Sequence, residues 1–196
     1  SLGSFDSSGS LEVLYDFGSA STGFQFDVTG LALTGAADGA ASDAGFTVST
    51  GGATVLGFSF TGATIPAGSG VLTVLSFSDV TDSTTELSFN MGAITDASGN
   101  PFVNQSASGS IDHGAPDCAG TFYGDSSLDD CGVCDGGNAD DLGCGCFEDA
   151  PSGCDNTCGS TLADDECGVC DGDGSTCTAS ISLGSFDSSG SLEVLY

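Results

Sequence analysis

The sequence predicts a mainly β protein, an antiparallel β-sandwich joined to a small disulfide-rich, loop-dominated module. Three observations predict it. Apolar and polar residues alternate through residues 11–111, the period of strands with one buried face. No stretch sustains the 3.6-residue period of a helix. All ten cysteines fall between Cys118 and Cys177, and residues 1–117 contain none.

Leu11, Val13, Tyr15 and Phe17 alternate with Glu12 and Asp16, and Phe24, Phe26 and Val28 alternate with Gln25 and Asp27. Further strand-like runs lie at Phe46 and Val48, at Leu56, Phe58 and Phe60, from Val71 to Phe77, and at Leu87, Phe89 and Met91. Gly, Ser, Asp and Pro66 punctuate them, as turns between short antiparallel strands require. Asp38, Asp43, Asp79, Asp82 and Asp96 fall in the expected loops as turn formers. Residues 37–45, ADGAASDAG, are the one place for a short helical turn or a long loop. A segment of this length can own one hydrophobic core, and the thirteen Phe supply much of its bulk.

Residues 1–15, SLGSFDSSGSLEVLY, return without change as residues 182–196. Internal repetition decides architecture before any local reading does. A spacing of 181 residues exceeds the roughly 20–50 of a solenoid and suits an array of whole domains. The chain reads as an excerpt of something longer: residues 1–113 a sandwich, 114–180 a spacer, and 181–196 the first strand pair of the next sandwich.

The strings SLGSFDSSGSLEVLYDFG, TGFQFDVTGLALTGA, DAGFTVSTGGATVLGFSF, IPAGSGVLTVLSF and GAITDASGNPF, in that order, are similar to the cohesin module and its carbohydrate-binding-module relatives. The resemblance implies a nine-stranded jelly-roll sandwich and a dockerin-binding face; no residue of this chain is assigned to that face.

The spacer is itself a duplication, since DDCGVCDGG at 129–137 matches DECGVCDGD at 165–173. One unit holds Cys118, Cys131, Cys134 and Cys144, the other Cys158, Cys167, Cys170 and Cys177, with Cys146 and Cys154 between them. The segment resembles the CGVC repeats of secreted multidomain proteins and, more distantly, thrombospondin type 3 repeats, in which Asp-rich turns hold Ca²⁺ in place of a hydrophobic core. An even cysteine count among Gly and Asp reads as a disulfide framework made in an oxidising compartment. The expected local pairing is within each four-cysteine unit, plus Cys146 to Cys154. Zinc on the two CxxC pairs is disfavoured by compartment and by the lack of a nearby His. A redox-active CxxC lacks the basic neighbour that stabilises a thiolate.

There is no Lys or Arg against 28 acidic residues, a net charge of −28. That excludes binding to nucleic acid by counterion release and disfavours anionic membranes. No run approaches the ~18–20 apolar residues of a membrane span. With no internal cation, Ca²⁺ is the expected counter-charge. Its candidate ligands are Asp129, Asp130, Asp135, Asp140 and Asp141 in the first unit and Asp164, Asp165, Glu166, Asp171 and Asp173 in the second, completed by turn carbonyls.

No catalytic residue is assigned. His113 is the single imidazole and lies at the module junction, where an incidental role is expected. A carboxylate-pair glycosidase needs a cleft with aromatic platforms, and there is no Trp. Asn104-Gln105-Ser106 is a formal glycosylation sequon. The resulting expectation is a structural tandem-repeat unit of a long extracellular fibre or cell-surface stalk, stiffened by disulfides and Ca²⁺, whose partners are copies of itself. The alternatives are an adhesin or cohesin-type docking module with a dockerin-like partner, and a filament subunit that donates residues 182–196 as a strand to its neighbour.

Overall fold

Where apolar and polar residues alternate, the chain forms strands with one buried face. The computed structural model describes all 196 residues and divides into two units, Ser1–Ser127 and Leu128–Tyr196. The first unit holds β1 (Leu2–Asp6), β2 (Ser10–Phe17), β3 (Ser21–Thr29), β4 (Leu31–Ala37), α1 (Gly39–Asp43), β5 (Thr47–Gly51), β6 (Thr54–Phe58), β7 (Gly68–Val80), β8 (Thr84–Ser88), β9 (Ile94–Asp96) and β10 (Ser110–Asp112).

All strand pairs are antiparallel. One sheet runs β1-β2-β7-β4, the other β10-β8-β3-β6-β5, with β9 also on β3. Their apolar residues form one core: Leu11 and Val13 of β2, Phe24, Phe26 and Val28 of β3, Val55 of β6, Leu72, Leu75 and Phe77 of β7, and Leu87 of β8. The central ring of Phe24 stacks on Phe26 and Phe46. It lies flat against β6 only because residue 57 is glycine, for a Cβ there would sit 2.1 Å from the ring.

The expected helical turn is α1, inside residues 37–45. Two expectations are corrected, and one strand is new. Phe60 and Met91 do not continue strands: β6 ends at Phe58 and β8 at Ser88, leaving the two side chains 84% and 93% exposed. Asp43, Asp79 and Asp96 are not loop residues, since they lie in α1, β7 and β9. β4 was missed because its second half, Gly35-Ala36-Ala37, carries no large side chain to mark alternation.

The second unit contains a single-turn 3₁₀ helix (Ser175–Cys177) and a lone hairpin, β11 (Ser182–Asp187) with β12 (Ser191–Leu195). No residue of this unit is fully buried. No helix of the chain is long and apolar enough to cross a membrane.

Candidate functional site

Without a core, the order in residues 128–180 has to come from local hydrogen bonds and covalent links. The hydrogen bonds centre on aspartate. Asp129 Oδ1 accepts the backbone N–H groups of Cys131 and Val133, both at 2.9 Å, and Oδ2 accepts that of Asn138 at 2.9 Å. Asp165 repeats the pattern, with Cys167 at 2.8 Å and Val169 and Gly174 at 2.9 Å. In the first unit Asp117 binds Ala119, Thr121 and Ser126 in the same way. Asp141 keeps the first half, accepting from Gly143 and Gly145.

Each full turn needs glycine at two places. Gly120, Gly132 and Gly168 have positive φ, which a side chain would strain. At Gly124, Gly136 and Gly172 a Cβ would fall 2.0–2.4 Å from Oδ2 of the central Asp. The carboxylates titrate accordingly. Hydrogen bonds from the Val133 and Val169 amides, first among several, hold Asp129 and Asp165 below the usual range, and the Thr121 amide does so for Asp117.

Asp117, Asp129, Asp141 and Asp165 all lie on one twelve-residue spacing, as do Cys134, Cys146, Cys158 and Cys170. The duplicated CGVC string, 36 residues apart, is therefore every third turn of a shorter repeat. That period was available in the sequence, but the intervening turns lack the CGVC string: one keeps Asp141 and Cys146, the next has Gly153 in place of the Asp and keeps Cys158 alone.

All ten cysteines are oxidised. The described bonds are Cys131–Cys146, Cys144–Cys158, Cys154–Cys170 and Cys167–Cys177. The expected Cys146–Cys154 bond is thus wrong; of the four described bonds, Cys167–Cys177 stays inside a four-cysteine unit and the other three leave theirs. The twelve-residue turn explains the difference. A cysteine early in one turn bonds the fixed-position cysteine of the next, so three bonds span 14–16 residues and staple neighbours into a ladder.

The ten carboxylates expected to bind Ca²⁺ are distributed along this ladder. Asp129 and Asp165 are the turn acceptors. Asp130 accepts the Asn138 side-chain amide at 3.0 Å, and Asp173 accepts the Ser175 N–H at 3.0 Å. Asp135 and Asp171 occupy left-handed backbone positions. Asp141 is a half-turn acceptor, the Asp140 carbonyl accepts the Phe147 N–H, and Asp164 bridges Cys170; Glu166 is exposed. No three of the ten carboxylates lie within 4.8 Å of one another. Asn104 is exposed in the segment between β9 and β10.

His113 has a larger place than its position suggested. It is buried, with Nε2 2.8 Å from Thr85 Oγ1 and Nδ1 2.7 Å from the Tyr123 hydroxyl. Its ring packs on Phe5, Phe122 and Tyr123. This cluster ties the turn around Asp117 to the β-sheets of the first unit. Burial pushes the imidazole below its ordinary pKa, with Asp112 opposing.

The repeated fifteen residues fold twice in the same way. β1 pairs β2 through Leu2↔Val13, Phe5↔Leu11 and Asp6↔Ser10; β11 pairs β12 through Leu183↔Val194, Phe186↔Leu192 and Asp187↔Ser191, with the same irregularity between the first two pairs. Smaller contacts recur too: Ser4 N–H to Glu12 and Ser185 N–H to Glu193, Ser8 N–H to Asp6 and Ser189 N–H to Asp187. The environments differ. Leu11 and Val13 are 0% and 2% exposed, while Leu192 and Val194 are 50% and 54% exposed.

No family model, curated protein or solved structure matches this chain. What it does has to be argued from the ladder and the hairpin themselves.

Proposed function

We propose that the chain is a structural repeat unit of a long extracellular fibre or surface stalk, in which jelly-roll sandwiches of cohesin type alternate with disulfide-stapled spacers. The observation that carries this reading is the second hairpin, which has the sequence, register and internal hydrogen bonds of β1–β2 but none of the sheet that buries them. On this reading β11–β12 opens a further sandwich.

The spacer suits such a role mechanically. Each staple limits the freedom of a segment that has no core, and the fully oxidised cysteines fit an oxidising compartment outside the cytosol. The aspartate turns close on backbone N–H groups, and Ca²⁺ would offset the net charge of −28. Equal melting with and without a chelator at physiological salt would remove Ca²⁺ from the proposal.

The mass of one denatured native chain tests the array. A continuous array gives several times the 19.1 kDa of these residues, and a mass near 19.1 kDa refutes it.

A further inference from the structure

We propose that two copies of this chain join through β5, which pairs antiparallel with the β5 of the second copy across a two-fold axis at Ser49. The pairing stands on the first unit alone. It adds a contact between neighbouring chains to the array reading and does not depend on it.

A strand at the end of a sheet presents unpaired N–H and C=O groups to any chain that fits them, and proteins blunt such edges with charge, bulges or brevity. The two sheets of the first unit end in β1, β4, β10 and β5. β1 breaks register between Leu2 and Phe5 and finishes in Asp6. β4 breaks register twice, and β10 is three residues long and finishes in Asp112. β5 has no such device: its sequence, TVSTG, runs in unbroken register along β6 and carries no charge.

The open groups of β5 follow from the ladder beside it. The Val28 N–H donates to the Ala53 carbonyl at 2.8 Å, so the odd residues of β6 bond β3 and the even ones, Thr54, Leu56 and Phe58, bond β5. Their partners are Gly51, Ser49 and Thr47. Val48 and Thr50 therefore turn their N–H and C=O groups to the open side, with no other backbone or side-chain partner.

Charge selects the occupant. A chain without Lys or Arg meets its own copy only where acids are missing. None occurs between Asp43 and Asp79. The strands β5, β6 and β3 hold a single acid, Asp27, which accepts from Thr54 Oγ1 at 2.7 Å and the Asn90 amide at 3.1 Å. β5 also fits itself. Reversed about Ser49, Val48 meets Thr50 of the second copy as a hydrogen-bonded pair, and the two Ser49 residues face each other with Cα atoms about 4.5 Å apart. The same patch on both copies makes a closed dimer. One strand is a small, weak contact, and in a chain of many sandwiches such contacts act together.

The test is sedimentation of the full chain over a range of concentrations at 0.15 M salt, where a Debye length of ~8 Å screens repulsion, with hydrogen exchange on the same samples. The mass should rise from 19.1 kDa towards twice that value. Exchange at Val48 and Thr50 should slow in step, while Ser49, bonded to β6, stays protected throughout. Ser49→Asp sets like charges opposite each other at an exposed position; it should lose the dimer and keep the protection of Phe24. On mild oxidation of the folded chain, Ser49→Cys should cross-link two copies, since the facing Cα atoms lie within disulfide reach, and Thr47→Cys, which faces Gly51, should not. A single mass at every concentration with Val48 and Thr50 exchanging freely leaves the edge to some other strand and overturns the proposal. So does a dimer that survives Ser49→Asp, or cross-linking as strong at Thr47→Cys as at Ser49→Cys. None of these results bears on the mass of the denatured native chain, on which the array stands or falls.

Discussion

Reducing the disulfides should unfold the ladder and leave the β-sheets standing. The described bonds separate residues by 10 to 16 positions. Loop-closure entropy then assigns about 2.7 to 3.1 kcal/mol to each, or roughly 12 kcal/mol for the four if they add. No buried apolar side chain in residues 128–180 offsets that loss, since Leu128, Leu142, Phe147 and Val169 are all exposed. In the first unit the Phe24–Phe26–Phe46 core owes nothing to these four bonds. Hydrogen exchange on the oxidised chain and on the reduced, alkylated chain reads both units at once. Pepsin is the protease of choice because a chain without Lys or Arg has no tryptic site. After reduction the Val133 and Val169 amides should exchange at unstructured rates, while those of Phe24, Phe26 and Val28 stay protected. Undiminished protection at Val133 and Val169 after complete alkylation would show that the aspartate turns hold themselves, and would refute the staple argument.

The two hairpins supply an internal control. Leu11→Ala should cost about 2–5 kcal/mol of unfolding free energy, and Leu192→Ala, half exposed in the identical hairpin, about 0.5 kcal/mol or less; urea midpoints of the two variants check the contrast. Stability of the first unit should depend on His113 protonation. Its folded pKa lies below the ordinary 6.5, so the unfolded state binds the proton more readily. Stability is full above pH 6.5 and declines as pH falls from there to the folded pKa, with Asp112 softening the decline. A His113→Gln chain should lose that slope, and an unchanged slope would place the effect elsewhere. Gly136→Ala and Gly172→Ala should break their turns, because the new methyl meets Oδ2 of Asp129 or Asp165; disulfide mapping after refolding should show non-native pairs in each.

What could be read in the sequence follows physical scale. Period-two alternation marked β2, β3 and β7 because Leu11, Val13, Phe24, Phe26, Leu75 and Phe77 are large side chains that have to share one interior. The same signal overran at Phe60 and Met91, where an apolar residue follows a strand without entering the core. The cysteine pairing was not legible, because sequence distance favours neighbours within a cluster, while the staple follows the pitch of a twelve-residue turn. His113 was not legible for a related reason: its partners Thr85, Tyr123 and Phe5 are set by tertiary packing alone.

The turns also explain why acid without base is tolerable, and why the acid is Asp. A carboxylate that accepts two or three backbone N–H groups has its charge stabilised by dipoles, so no Lys or Arg is needed beside it. Only a one-methylene arm folds back onto its own turn in this way, so Asp and not Glu stands at 117, 129, 141 and 165. Asp129→Glu should therefore be worse for its turn than Asp129→Asn. The longer arm carries both oxygens past the Cys131 and Val133 amides, whereas Asn keeps one oxygen on them and sacrifices only the Asn138 contact, where its NH₂ meets another donor. Amide exchange at Val133 and Asn138 separates the cases: Glu should release both, and Asn should release Asn138 alone. If Glu protects Val133 as well as Asp does, charge rather than reach is what the turn selects.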